Sequence, residues 1–149
     1  MGTPDTKFTK SGGGGLNSIF YANNKRNIII DTIKIDGSYY NNSIYSLKTK
    51  YGIQFDGASN NNTFNAVQTY NNARYGIYLG LSSHHNTITN TQVFNNLMAG
   101  IHLYYSSNYN VINNTQTYNN SGYGIWFANG SNRNTINNFQ AYNNTVGVF

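Results

Sequence analysis

The chain has 149 residues, no cysteine, a single proline and a formal charge of +5. Only 9% of it is charged, glutamate is absent and asparagine occurs 29 times. This excludes disulfide frameworks and thiolate metal sites, and 15% aromatics make the chain too apolar for ordinary disorder. No apolar run reaches the roughly 18 residues that a bilayer span needs. Seven of the nine bases (Lys7, Lys10, Lys25, Arg26, Lys34, Lys48 and Lys50) fall in the first third, away from most of the aromatics. No basic stripe interleaved with aromatics forms, so nucleic acid is not an expected partner.

Residues 1–26, with Gly12, Gly13, Gly14 and Gly15, form a Gly-rich lead or N-terminal cap without a signal-peptide pattern. Asn27-Ile28-Ile29 opens the first coil of a repeated domain over 27–149. The step from Asn27 to Asn62 is longer than the later steps of the repeat, which predicts about 11 inserted residues near 38–50. An insertion in a stacked repeat becomes a loop on one face, often the binding face.

From residue 52 the repeat is plain. Gly52-Ile53, Gly76-Ile77, Gly100-Ile101 and Gly124-Ile125 recur with a period of 24, and Gly147-Val148 falls one position short of it. Asn62, Asn86, Asn110 and Asn134 follow the same spacing, as do the pairs Asn71-Asn72, Asn95-Asn96, Asn119-Asn120 and Asn143-Asn144. A fixed period in this range means a stack of identical structural units.

In the unit 76–99, Gly76-Ile77-Tyr78-Leu79 alternates as a strand, Ser82 to His85 turns, and Asn86-Thr87-Ile88-Thr89 and Thr91-Gln92-Val93-Phe94 give two more short strands. Three short strands cannot bury a face alone. Each pairs in parallel with its copy one period on, which gives an all-β parallel solenoid of about five coils rising about 4.8 Å per coil. The predicted inward columns are Ile53, Ile77, Ile101, Ile125; then Phe55, Leu79, Leu103, Phe127; then Phe64, Ile88, Ile112, Ile136. Stacked asparagines satisfy the backbone at the bends, and the repeated glycine gives a tight start to each first strand. In the third strand Thr91 and Val93 point inward, which leaves an outer ladder of Gln68, Gln92, Gln116 and Gln140 and an aromatic stripe of Tyr70, Phe94, Tyr118 and Tyr142. Lys34 fits this parity only with a one-residue shift in the first coil.

The units Gly-Tyr-Gly-Ile-Trp-Phe (122–127), Asn-Asn-Thr-Phe-Asn (61–65) and Asn-Thr-Ile-Thr-Asn (86–90) resemble right-handed parallel β-helix repeats, the NosD-like and pectate-lyase-like repeats of carbohydrate-active and surface proteins. The resemblance covers roughly 27–149. It implies a right-handed, single-stranded parallel β-helix, and it leaves function open, because the same coil serves lyases, hydrolases, epimerases, adhesins and copper-delivery proteins.

Hydrolases of that fold place several acids on the outer face of the first sheet. Here the acids are Asp5, Asp31, Asp36 and Asp56, and only Asp56 belongs to that face. The calcium-binding acids of the lyases and the Asp-Pro-His pattern of the epimerases have no match. No catalytic residue, cofactor or metal site is therefore assigned, and the balance leans against an enzyme. The outer face of the first sheet carries Gln54, Tyr78, His102 and Trp126, beside Asp56 and Tyr104. These six are the candidate sugar-binding residues, with the aromatics stacking on sugar rings. His84, His85 and His102 are the three imidazoles available to copper.

The expected function is a non-enzymatic structural module at the cell surface or outside the cell. Its partners are the rest of a longer surface protein, such as an adhesin, or further copies of itself. Ile28, Ile29, Val146, Val148 and Phe149 lie at the coil ends and would serve head-to-tail stacking into a filament. A polysaccharide-binding or polysaccharide-degrading module is the alternative, and a NosD-like copper-handling protein the second.

Overall fold

A computed structural model describes residues 6–9, 17–38 and 49–149. It is a parallel β-solenoid with three sheets, and the described residues contain no helix. The first sheet stacks β2 (Ser18–Asn23), β5 (Tyr51–Asp56), β8 (Tyr75–Leu79), β11 (Ala99–Tyr104), β14 (Tyr123–Ala128) and β17 (Val146–Val148). The second stacks β3 (Ile29–Asp31), β6 (Thr63–Asn65), β9 (Thr87–Thr89), β12 (Val111–Asn113) and β15 (Thr135–Asn137). The third stacks β1 (Thr6–Thr9), β4 (Ile33–Asp36), β7 (Gln68–Tyr70), β10 (Gln92–Phe94), β13 (Gln116–Tyr118) and β16 (Gln140–Tyr142).

The register fixes the coil lengths. Tyr51 pairs with Tyr75, Tyr75 with Ala99 and Ala99 with Tyr123, each one full period on. The last step, Tyr123 to Val146, is one residue shorter. Four turns, from β5 to β16, keep the regular period, one fewer than the expected five. Ser18 pairs with Tyr51, a longer step than any later one in this sheet, so the first turn is enlarged and stacking begins before residue 27.

The first coil also corrects the alignment. Ile29 pairs with Thr63, so Ile28, not Asn27, occupies the column of Asn62. This register makes the insertion one residue shorter than expected, and the segment near 38–50 falls mostly on residues outside those described. With the offset corrected, Lys34 pairs with Gln68 and faces outward while Ile35 is buried. The one-residue shift expected in the first coil is therefore present.

The interior follows the predicted columns. Ile53, Ile77, Ile101 and Ile125 are fully buried, as are Phe64, Ile88 and Ile112. Each such side chain contributes about 1.5–3 kcal/mol relative to exposure. Thr69, Thr91, Val93 and Thr117 are buried from the third sheet, which confirms the expected parity. Outside it, Gln68 donates to Gln92 and Gln116 to Gln140, both at 3.0 Å. Tyr70, Phe94, Tyr118 and Tyr142 stack face to face, with centroids 4.7, 4.8 and 4.9 Å apart. Because neighbouring rings cover one another's faces, Phe94 and Tyr118 offer a sugar only their edges.

Asparagine has two jobs here. Asn71, Asn95, Asn119 and Asn143 take left-handed backbone (φ 52 to 56°) at a corner of the coil, a conformation asparagine tolerates well. Their successors turn inward. Asn72 donates its backbone N–H and its Nδ2 to Asn96 Oδ1 at 3.1 and 2.8 Å, and Asn96 repeats this with Asn120. Asn62, Asn86 and Asn110 form a second such ladder. Sequence reasoning missed a third, of Ser83, Ser107 and Ser131. The repeated glycine is explained by space: a Cβ on Gly76 would stand 2.2 Å from Val93 Cγ1.

Candidate functional site

The outer face of the first sheet carries an aromatic cleft of about 310 Å³ lined by Tyr51, Arg74, Tyr75, Tyr78, His102, Tyr104 and Trp126. Strand pairing builds it. Gln54 pairs with Tyr78, Tyr78 with His102, and His102 with Trp126, so these side chains rise in one column. A neighbouring column runs Tyr51, Tyr75, Ala99, Tyr123. Ala99 interrupts the tyrosines with a methyl group, and across that gap Tyr75 reaches both His102 and Trp126, at centroid distances of 4.6 and 6.5 Å.

Of the six predicted residues, Tyr78, His102, Tyr104 and Trp126 line this cleft. Gln54 instead borders a separate cavity of about 280 Å³ with Asn17, Ser18 and Tyr21. Asp56 lies beside Gln54, whose Nε2 donates to its Oδ2 at 2.6 Å. Sequence reasoning missed Tyr51, Arg74 and Tyr75. The signal was present: a tyrosine precedes Gly52 and Gly76 at the repeat spacing.

The floor is His102, only 3% exposed, with no hydrogen-bond partner in the protein at either ring nitrogen. Trp126 stacks on it at 4.3 Å. Burial lowers the imidazole's pKa to about 4, so it is neutral at neutral pH. Burial also raises the carboxyl of Asp56, partly offset by the Gln54 hydrogen bond. The Tyr78 phenol is pushed up, first by burial and then by the Asp56 carboxylate. The cleft thus joins ring faces, one guanidinium and a neutral imidazole with unused donor and acceptor capacity.

The other two histidines lie elsewhere. The His84 N–H donates to Asn60 Oδ1 at 2.6 Å, and His84 Nδ1 accepts the Asn108 N–H at 3.1 Å. Its ring nitrogen does the work of an asparagine oxygen in that column. His85 stacks on Tyr109 at 5.2 Å. Among the described residues no three His, Cys, Asp or Glu side chains converge as metal ligands. Of the residues assigned to the coil ends, Ile28 packs against the core and Ile29, on β3, is exposed. Val146 is half-buried on β17, and Val148 and Phe149 are exposed.

Residues 5–149 match the family described as right-handed β-helix region. The chain belongs to that family. Among curated proteins none matches the sequence. Among solved structures it is similar to the periplasmic alginate epimerase AlgG, with a TM-score of 0.69 and 19% identity. The likeness covers 80% of this chain and 26% of the epimerase, so the chain spans about a quarter of that protein's length. At this identity the likeness establishes the fold. No helix in the described residues is long and apolar enough to cross a membrane.

Proposed function

We propose that this chain is an extracytoplasmic polysaccharide-binding β-helix module whose ligand lies across the cleft of Tyr51, Tyr75, Tyr78, Tyr104 and Trp126. The observation that carries this reading is His102 at the cleft floor, buried yet unpartnered at both nitrogens. Buried polar groups are nearly always hydrogen-bonded, and an exception beside a cleft calls for an explanation, which a bound ligand would supply. A sugar fits because it brings a weakly polar ring face for the aromatics and, once a ring over the shielded His102 nitrogens is displaced, hydroxyls that both donate and accept for them. Arg74 also lines the cleft, and its guanidinium suits neutral or anionic substituents. The fold's likeness to an alginate epimerase, a periplasmic protein that acts on a polysaccharide, supports both the ligand class and the compartment.

Trp126 is the only tryptophan, so its emission reports on the cleft directly. Titration with a panel of neutral and acidic polysaccharides is expected to change that emission saturably for at least one member. Indifference to the whole panel removes this reading.

A further inference from the structure

Next to the cleft, and separated from it by one side chain, lies a carboxylate that has only half its partners. Asp56 ends β5 and is 7% exposed. Its Oδ2 accepts from Gln54, while Oδ1 is buried with no hydrogen-bond partner. An ionised carboxylate only accepts hydrogen bonds, so what it lacks is a donor.

Its cover is Tyr78. Asp56 and Gly80 occupy matching positions in successive coils, at the outer end of the first-sheet strands. A Cβ on Gly80 would stand 2.4 Å from Tyr78 Cε1, 2.5 Å from Tyr78 Oη and 2.6 Å from Asp56 Oδ1. The Tyr78 ring therefore lies down along its own strand, over the bare glycine that the Asp56 oxygen also borders. The next coil carries Tyr104 at this position and the one after it Ala128, both in register; glycine is what leaves room for the ring. The same ring is a wall of the cleft, stacked on Tyr75 at 5.8 Å and edge-on to His102 at 5.5 Å. One side chain thus borders both the glycine beside the carboxylate and the cleft.

We infer that Tyr78 is a movable cover and Asp56 a concealed part of the binding site, so that a ligand which displaces the Tyr78 ring meets the Asp56 oxygen and must offer it a hydroxyl. The inference rests on the cleft being a glycan site and narrows it. The group that reaches the floor is a pair of neighbouring sugar hydroxyls, one donating to Asp56 and one exchanging hydrogen bonds with neutral His102. A sugar carboxylate in that place would face the Asp56 charge. The raised carboxyl of Asp56 and the raised phenol of Tyr78 agree with two groups shut in side by side.

The test uses hexasaccharides of glucose, mannose, galactose and galacturonate, titrated against the wild-type chain and followed by Trp126 emission and by the carbon resonance of the Asp56 carboxyl. For the tightest-binding probe, the Asp56 resonance is expected to move on saturation, and Asp56→Asn to weaken binding at least fivefold. A carboxyl resonance that stays in place, with Asp56→Asn binding as the wild type does, overturns the concealed carboxylate. If calorimetry shows that Trp126→Ala still abolishes binding in that case, the cleft itself stands. Binding that is indifferent to Trp126→Ala, or absent for every probe, removes the cleft and this inference together. The resonance is read on the unaltered chain, so a poorly folding variant does not decide the result.

Discussion

Trp126 lies flat on His102, the two rings 4.3 Å apart and within 9° of parallel. The stack, with Tyr75 edge-on at 4.6 Å, removes water from both imidazole nitrogens without replacing it. The protonated form is the one that suffers. Above the ordinary value of 6.5 both folded and unfolded states hold a neutral ring, and His102 adds no pH dependence. As the pH falls from 6.5 towards about 4, the unfolded chain takes a proton that the folded chain refuses, so stability is lost through that window and levels off below it.

The expected loss is at most about 3 kcal/mol. Urea midpoints at pH 7, 5 and 4 measure it, with His102→Phe as the reference because the variant keeps a ring against Trp126. Asp56 acts in the opposite sense: its raised carboxyl favours the folded state as acid protonates it. That term is common to both proteins and cancels in the comparison. Equal slopes for wild type and His102→Phe would mean that the ring is solvated after all.

The buried asparagine ladders carry the second prediction. Asn86 Oδ1 accepts from both the backbone and the side chain of Asn62, at 3.0 and 2.9 Å, and its Nδ2 donates to the Ser59 carbonyl at 3.0 Å. Asn86→Ala leaves several buried groups without partners. Each costs about 1–3 kcal/mol, so a loss of at least about 3 kcal/mol is expected in chemical denaturation. Asn137→Ala, on the exposed side of β15, is expected to change stability by less than about 0.5 kcal/mol.

His84 gives a chemical check on its role as an asparagine substitute. Asn60 and Asn108, the residues one coil away on either side, use Oδ1 to accept a backbone N–H from the next coil. His84→Asn should therefore leave the melting temperature almost unchanged. His84→Leu keeps the bulk but strands the Asn108 N–H, with an expected cost of about 1 kcal/mol. A destabilised His84→Asn would show that the ring matters for something other than its Nδ1 acceptor.

The fold was legible because stacking makes every coil solve the same problem. Inward Ile, ladder Asn and outer Gln must each recur at one spacing, and a sequence shows this without any knowledge of direction or twist. The first coil was misaligned by one residue because Ile28 stands where later coils carry asparagine; its backbone N–H still donates to Asn62 Oδ1 at 2.9 Å, so the ladder ends without an asparagine. The cleft was half legible. Tyr78, His102 and Trp126 follow from strand alternation, but Tyr75 belongs with them only because Gly76 and Ile77 are both buried, which breaks the simple in-out pattern. The importance of Ala99 is that it is small, and a missing ring is visible only against its neighbours in the stack.

The repeated glycines supply the last prediction. Gly76 and Gly147 occupy equivalent places in the repeat, yet their surroundings differ. A Cβ on Gly76 meets Val93 Cγ1 at 2.2 Å and the Gly100 carbonyl oxygen at 3.0 Å, whereas one on Gly147 meets only Ala141 Cβ, at 3.6 Å. The first contact cannot be relieved without moving a buried valine or the next coil, and overpacking of this kind costs about 1–3 kcal/mol. The second is ordinary van der Waals contact with a residue of the preceding coil. Gly76→Ala is therefore expected to lower the unfolding midpoint clearly, and Gly147→Ala to leave it in place. Combining Gly76→Ala with Val93→Ala should recover part of the loss by removing the Cγ1 it strikes. If Gly76→Ala is as stable as Gly147→Ala, the spacing between coils gives more easily than the close approach of their strands implies.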